Sequence, residues 1–386
     1  MENISSLKVL LVAEGSGGHL IPALQVAESL AKTGARATVW YARRRPSASL
    51  ADALVKEAAS AGVEVHAMPL TTSRRLLGRL WQCGQLWFQT QRWLDASAPD
   101  VVVGFGGWVS APVILAARWR HIHCVLHEQN VAVGRANRLL VQWVDRVAVS
   151  FRETQASLNG APSVVTGMPV RDAIGRSSRE AHAARFGFSA AQPTLLVLGG
   201  SQGSRAINQV MSELMERLSS DERRRWQFLH ITGAADERAV RSTYARHEVT
   251  AWVAPFLTEM EAAYAQADVA IARAGAATIM ELARCGKPAI LIPYPYAGGH
   301  QTVNARLVEH CGGGLLLEEG ESTAVRLLSA LRRLLADERL RLIMGRQMRE
   351  IAVPDAAERL TKAIVELHTE RRTERTPDME ALSWFE

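Results

Sequence analysis

His19 closes the run Glu14-Gly15-Ser16-Gly17-Gly18-His19, which follows directly on an apolar segment at residues 7–13. An imidazole titrates near neutrality and can take a proton from an attacking hydroxyl, so His19 is the first candidate for a general base. The glycines let backbone approach a ligand closely. N–H groups at the start of the following helix favour negative charge, either a phosphate or a developing oxyanion. Pro22 suits the first turn of that helix. Leu20 replaces the third glycine of G-x-G-x-x-G and no G-K-[ST] follows, so the loop is neither a dinucleotide fingerprint nor a Walker loop. Taken alone, His19 reads equally well as a histidine that caps the helix or bonds a backbone carbonyl.

The device recurs at Leu198-Gly199-Gly200-Ser201-Gln202-Gly203-Ser204-Arg205. Here a diphosphate is the natural guest, held by backbone donors and the Ser201 hydroxyl; the competing reading is a tight, closely packed strand-to-helix turn. A third helix start, Gly275-Ala276-Ala277-Thr278-Ile279-Met280-Glu281, offers small residues for backbone contact, and Glu281 can accept both hydroxyls of a ribose. Otherwise Glu281 is a surface charge that stabilises its helix. No Asp-x-Asp pair occurs, so the usual carboxylate clamp for a metal on a nucleotide diphosphate is missing. Leaving-group charge then falls to helix N-termini, backbone N–H groups and Arg171, with no metal or other cofactor expected.

The elements that must position these residues follow from the apolar pattern. Short β-rich runs at 7–13, 37–40, 63–66, 101–103, 122–126 and 146–149 alternate with helical patterns, which implies a parallel α/β sheet. The alternation restarts after Pro169, with runs at 194–198, 227–231, 250–253, 269–272, 289–292 and 314–317, giving two doubly wound domains. Val165-Thr166-Gly167-Met168-Pro169-Val170-Arg171 is the expected join. Ligands of such sheets sit beyond the carboxyl ends of the strands, so two sheets hinged there face a cleft holding two substrates. The expected domains are residues 1–168 and 169–350, followed by a segment, 351–386, with an amphipathic helix at 356–367 and a loosely ordered charged tail from Thr369.

Composition removes other classes. A chain of 386 residues exceeds what one core usually organises, and 48% hydrophobic with 22% charged residues excludes bulk disorder. Four scattered cysteines without C-x-x-C argue against a disulfide scaffold or structural metal and fit a reducing compartment. The acidic N-terminus and the short first apolar run provide neither signal peptide nor membrane span, which places the protein in the cytoplasm. A net charge of +6 favours anionic partners, but no helix-turn-helix, finger or RNP-like pattern supports nucleic acid.

Taken in order, residues 15–23, Gly104-Phe105-Gly106-Gly107-Trp108-Val109-Ser110-Ala111-Pro112, His127-Glu128-Gln129-Asn130, Gly167-Met168-Pro169-Val170-Arg171, residues 199–204, residues 275–281 and His300-Gln301-x-x-Asn304-Ala305 resemble the MurG family. The resemblance spans about residues 7–350, and the ordered set with His-Glu-Gln-Asn is specific where a single glycine run is not. It implies a GT-B fold of two Rossmann-like domains. The acceptor would lie on the N-terminal side and UDP-N-acetylglucosamine mainly on the C-terminal side. The implied reaction is inverting transfer of N-acetylglucosamine to the C4 hydroxyl of N-acetylmuramic acid in lipid I (undecaprenyl-pyrophosphoryl-N-acetylmuramyl pentapeptide), giving lipid II for peptidoglycan. By the same resemblance, Ser16, Gly17, Gly18 and Asn130 lie against the sugar and diphosphate, and Arg171 and Ser201 contact the nucleotide. Leu257 flanks uracil, Ala276, Ala277, Thr278, Ile279, Met280 and Glu281 hold phosphate and ribose, and His300 with Gln301 completes the pocket. His19 takes the proton; Glu128 is the alternative base or the group that orients the acceptor. Ser16, Ala274 and Met280 depart from the family's commoner Thr, Ser and small polar residue, which bears on the donor contacts more than on the reaction.

A lipid-linked acceptor also implies a peripheral enzyme on the cytoplasmic membrane face, near wall-synthesis or divisome proteins. Arg74-Arg75-Leu76-Leu77-Gly78-Arg79-Leu80-Trp81, continuing to Leu86-Trp87-Phe88, suits an anionic membrane surface, though a buried helix explains its apolar residues too. Competing readings are a UDP-sugar transferase acting on diacylglycerol, a UDP-N-acetylglucosamine epimerase, and an inactive sugar-nucleotide-binding scaffold. The runs at 104–112 and 127–130 speak against the first two, and retention of His19, Glu128 and both glycine loops against the third.

Overall fold

The computed structural model describes residues 6–15, 17–43, 49–69, 76–200, 202–296, 298–320 and 323–375. Ser16 and Ser201, both singled out above, lie outside the described residues, as do Arg74, Arg75 and the side chains of residues 76–83. The chain forms two compact units, one of Met1–Gln129, Val133–Pro169 and Asp355–Glu386, the other of Asn130–Ala132 and Val170–Pro354.

The strands of the first unit are β1 Lys8–Glu14, β2 Arg36–Arg43, β3 Glu64–Pro69, β4 Val101–Gly104, β5 His123–Glu128, β6 Arg146–Val149 and β7 Ser163–Val165. Those of the second are β8 Thr194–Leu198, β9 Gln227–Ile231, β10 Thr250–Ala254, β11 Val269–Ala272, β12 Ala289–Leu291 and β13 Gly314–Leu316. The helices α1 Gly17–Lys32, α2 Ser49–Ser60, α3 Leu76–Ser97, α4 Ser110–Trp119 and α5 Arg135–Leu140 intervene in the first unit. The second holds α6 Arg179–Phe186, α7 Arg205–Arg217, α8 Ser220–Arg225, α9 Glu237–Arg246, α10 Met260–Gln266, α11 Ala276–Cys285, α12 His300–His310, α13 Thr323–Ala336 and α14 Glu338–Ile351; α15 Ala356–Arg375 returns to the first unit.

Every strand pairing is parallel, in the orders β3-β2-β1-β4-β5-β6-β7 and β10-β9-β8-β11-β12-β13. Such sheets are covered on both faces, which is why β4, β8 and β11 read as unbroken apolar runs and are buried throughout. The strand order reverses direction between β1 and β4 in one unit and between β8 and β11 in the other. Successive connections run to opposite sides there, opening a crevice at the carboxyl ends. The glycine loops after β1 and β8, and the segments after β4 and β11, stand at these two points.

Three details differ from the sequence reading. Helix α1 begins at Gly17, so His19 lies in its first turn and Pro22 in its second; Pro22 cannot donate to the carbonyl of Gly18. A strand does end at the Val165–Arg171 join, as its Gly and Pro imply, and its bounds, Ser163–Val165, add a seventh strand, β7, to the six apolar runs read in the first unit. The final helix extends through Arg375 instead of giving way to a tail at Thr369. Arg146 holds it there, its Nη2 2.9 Å from Glu370 Oε1 and its Nη1 donating to the Ala363 carbonyl at 3.2 Å.

Leu360, Ile364 and Leu367 of α15 recur at helical spacing and sit fully inside the first unit's core with Leu24, Ala27 and Leu30 of α1. Thr361 adds a buried bond from its hydroxyl to Ser29 Oγ at 2.9 Å. The C-terminal helix is therefore part of the N-terminal domain's core. Leu360→Ala is expected to destabilise the first unit by roughly 2–5 kcal/mol. In a denaturant titration the first unit's transition should move and the second unit's should stay.

Candidate active site

In the first unit, Gly106 and Gly107 (φ +82° and +77°) follow β4 beside the start of α1. A Cβ on Gly106 would lie 3.6 Å from His19 Cδ2 and 3.4 Å from the Asn137 amide, and one on Gly107 would strike the Glu14 side chain at 2.3 Å. Backbone that only glycine tolerates thus lies between His19 and Asn137. Asn137 Nδ2 donates to Glu128 Oε2 at 2.7 Å, and the Gly134 N–H donates to the same oxygen at 2.9 Å. Glu128 is buried, with one oxygen fixed by two donors. His19, Gly17 and Gly18 are half-buried. The structure therefore brings both proposed catalytic residues to one crevice, linked through Gly106 and Asn137.

His127, the neighbour of Glu128, is fully buried, and its Nε2 lies 3.1 Å from the Gly167 carbonyl. A carbonyl only accepts, so Nε2 carries the proton of the neutral ring. Burial holds the imidazole down at about 4, opposed by the Gly167 bond and assisted by the charge of His19. Gln129 donates to the Phe105 carbonyl at 2.6 Å, tying the end of β5 to the end of β4.

In the second unit, α7 is capped by Ser204, whose hydroxyl accepts from Ile207 N and from Arg273 Nε at 3.1 Å. Arg273 also donates from Nη1 to the Ile292 and Pro293 carbonyls at 3.1 Å and to Glu319 at 2.7 Å. One buried guanidinium thus ties together the segments that follow β8, β11, β12 and β13. Behind the same loop, His230 bonds Asn208 Oδ1 at 3.0 Å and the Tyr244 hydroxyl at 3.2 Å, while Asn208 Nδ2 donates to the Thr232 carbonyl and Asp236. Burial lowers the His230 imidazole to about 3, so this network is neutral at its centre.

Helices α11 and α12 begin on Gly275 and Gly299 without a side-chain cap. First-turn N–H groups have no intrahelical acceptor, and an uncapped helix start is suited to an anion. Ala277 and Thr278 are half-buried there, whereas Ala276, Ile279 and Met280 point into the core. Glu281 is buried too, which removes the surface-charge reading; Tyr264 donates to its Oε2 at 2.6 Å. Arg171 donates to the Thr258 carbonyl at 2.6 Å, beside buried Leu257, and lies 4.0 Å from Glu261. Gln301 accepts from the Tyr294 N–H at 2.9 Å, and His300 is half-buried in the first turn of α12.

Sequence reasoning did not assign roles to Asn137, Asn208, Tyr264, Arg273 or Asn304. Asn304, fully buried, accepts from Val131 N–H at 3.0 Å and donates to Asn130 Oδ1 and the Ala274 carbonyl at 3.1 Å. Its spacing four residues after His300 was the available signal, since that puts both on one helix face. Among the described residues no three His, Cys, Asp or Glu side chains converge as metal ligands.

Residues 9–149 match the glycosyltransferase family 28 N-terminal domain and residues 194–360 the glycosyltransferase family 28 C-terminal domain. A UDP-N-acetylglucosamine–N-acetylmuramyl-(pentapeptide) pyrophosphoryl-undecaprenol N-acetylglucosamine transferase from Syntrophotalea carbinolica is 37% identical over 366 residues, covering 92% of this chain and 98% of the relative. Among solved structures, MurG of Acinetobacter baumannii superimposes with a TM-score of 0.72 at 24% identity, covering 94% of this chain and 99% of that one. A UDP-GlcNAc 2-epimerase from Neisseria meningitidis, bound to UDP-GlcNAc, gives 0.68 at 13% identity, covering 93% and 100%. The structural likenesses establish a GT-B fold shared by transferase and epimerase alike; sequence identity over the full length separates the two.

The His127 value sets a pH dependence. Its folded pKa of about 4 lies below the ordinary 6.5, so the unfolded chain binds the proton more readily. Stability from the neutral ring is complete above pH 6.5 and is lost as pH falls from 6.5 to about 4, by roughly 3 kcal/mol at most. Melting temperature measured across that range should fall on acidification. His127→Gln should melt lower at pH 7.5 but show a shallower decline.

Proposed function

The chain belongs to the family of UDP-N-acetylglucosamine–N-acetylmuramyl-(pentapeptide) pyrophosphoryl-undecaprenol N-acetylglucosamine transferases, and from that membership we propose that it transfers N-acetylglucosamine from UDP-N-acetylglucosamine to the C4 hydroxyl of N-acetylmuramic acid in lipid I. The observation that carries this reading is the 37% identity over 92% of the chain, which spans both glycine loops. The first unit takes the acceptor and the second the sugar nucleotide.

In the reaction the acceptor oxygen forms a bond to C1 of the donor sugar as the bond from C1 to the diphosphate oxygen breaks, with inversion. His19, in the first turn of α1, takes the hydroxyl proton. Glu128 suits an orienting role: the Gly134 N–H and Asn137 Nδ2 both hold its Oε2, which sets the plane of the carboxylate toward the acceptor. Charge building on the departing UDP is met by the uncapped start of α11, by the backbone ahead of α7 and by Arg171. Glu281 receives the ribose hydroxyls, Leu257 flanks the base, and Asn130, His300 and Gln301 of the same unit line the nucleotide sugar.

The acceptor's lipid requires a membrane-facing surface, and we assign it to neighbouring elements of the first unit. Phe88, Trp119 and Leu139 are 71%, 78% and 71% exposed on α3, α4 and α5, which pack on a shared core, and Arg135 and Arg138 are exposed beside them. Large apolar side chains beside arginines suit the interface of an anionic bilayer. Among the described residues no helix is long and apolar enough to cross a membrane. We assign peripheral attachment on the cytoplasmic face on the strength of this patch and of the UDP-sugar donor, which is supplied there. Wall-synthesis and division proteins that use the lipid-linked product would meet the enzyme at that surface.

With labelled UDP-N-acetylglucosamine and a lipid I analogue, His19→Ala is expected to lower transfer by ~10²–10⁴-fold while UDP binding, followed by calorimetry, stays within about twofold; undiminished transfer would remove His19 as the base. Trp119→Ser with Leu139→Ser should cut co-sedimentation with vesicles containing anionic lipid severalfold, and raised salt should weaken binding of the unsubstituted protein.

A further inference from the structure

Tyr264, on α10, is 1% exposed, and its hydroxyl donates to Glu281 Oε2 at 2.6 Å. Burial pushes the phenol far above its ordinary value, with the charge of Glu281 adding to the effect, so Tyr264 remains a donor throughout the working pH range. Burial also raises the Glu281 carboxyl; the Tyr264 bond and the charge of Arg171 oppose that rise, and Glu261 adds to it. The carboxylate is thus held in a crowded, charged pocket by a single phenolic clasp on one oxygen. A buried phenol and carboxylate cost desolvation that an apolar pair of the same size avoids, so packing alone does not account for them.

A glutamate has three rotatable bonds, and fastening Oε2 sets the plane of the carboxylate and the direction of Oε1. Glu281 lies five residues into α11, about 8 Å along the axis from the uncapped start at Ala276. That start suits a phosphate, and a carboxylate further along the same helix is the acceptor that the proposed function gives to the diol of a ribose attached to that phosphate. We propose that Tyr264 is a positioning residue that aims Glu281 at the 2′,3′-diol, so that the second unit selects ribonucleotide sugar donors over their 2′-deoxyribonucleotide counterparts. The proposal rests on the reading of Glu281 as the ribose acceptor and adds the means by which that acceptor becomes selective. A deoxy donor leaves the aimed oxygen in a buried place without the donor it is set to receive, and the site rejects it for that reason.

The test is kcat/KM for UDP-N-acetylglucosamine and its 2′-deoxy analogue with the unsubstituted enzyme, Y264F, E281Q and the double variant. The unsubstituted enzyme should prefer the ribonucleotide by at least ~10-fold. Y264F should reduce the preference to about threefold or less, through a higher KM for the ribonucleotide and little change for the deoxy donor. Added to E281Q, Y264F should leave the ratio as it is. Loosened packing lowers both donors alike, so an unchanged ratio in Y264F overturns the positioning role while leaving Glu281 as the ribose acceptor. A missing preference in the unsubstituted enzyme, or one retained in E281Q, instead overturns the reading of Glu281. If Y264F does not fold, Y264L fills much of the same space without a hydroxyl and leaves Glu281 intact, and an unchanged ratio there overturns the positioning role equally.

Discussion

Both units depend on the same close approach of backbone to backbone. A Cβ on Gly15, after β1, would sit 2.5 Å from the Ala42 carbonyl at the end of β2, to which the Gly15 N–H donates at 3.0 Å. A Cβ on Gly203, after β8, would sit 2.1 Å from the Thr232 carbonyl just beyond β9. In each unit the chain leaves its central strand by pressing against the neighbouring strand at a distance no side chain permits. This turns it sharply enough to start α1 and α7 above the points where the strand order reverses. The helix starts, and all that gathers at them, follow from that contact.

Hydrogen bonds from buried polar groups underneath hold these loops in place, with Asn137 Oδ1 the one atom among those named that has no partner. Arg273 joins the segments after four strands, and the His230–Asn208 pair fastens α7 to the Thr232 carbonyl against which Gly203 packs. In the first unit, Gln129 and Asn137 perform the corresponding work for β4 and Glu128. Buried polar networks of this kind are costly unless complete and rigid once complete. That rigidity lets a transferase rely on fixed dipoles at the diphosphate, with no reorganisation at the moment of transfer.

The strands were legible because a parallel sheet buries both faces, leaving apolar runs bounded by Gly, Pro and charge; β8 and β11 match their expected limits for this reason. β7 is three half-buried residues, Ser163–Val165, with no such run of its own. Pro22 drew the expected start of α1 a turn too late, because glycines that signal a loop also tolerate a helix's first turn. The site glycines, His19 and Glu128 announced themselves by motif. Tyr264 and Asn208 did not, and Asn304 stood in a motif without a role: within helices their types look ordinary, and what they do depends on which distant side chain packing brings to them. The burial of Glu281 was hidden in the same way, since Tyr264, which bonds it, comes from a different helix, α10.

The placement of α15 has a bearing on how the chain comes off the ribosome. Apart from Asn130–Ala132, the second unit is one unbroken stretch, Val170–Pro354, whereas the first lacks Leu360, Ile364 and Leu367 until α15 has been made. The unit whose strands are made first thus closes its core after the other is complete. During synthesis the nascent first unit waits with an open apolar face, offering chaperones a binding surface, while the second unit can already fold.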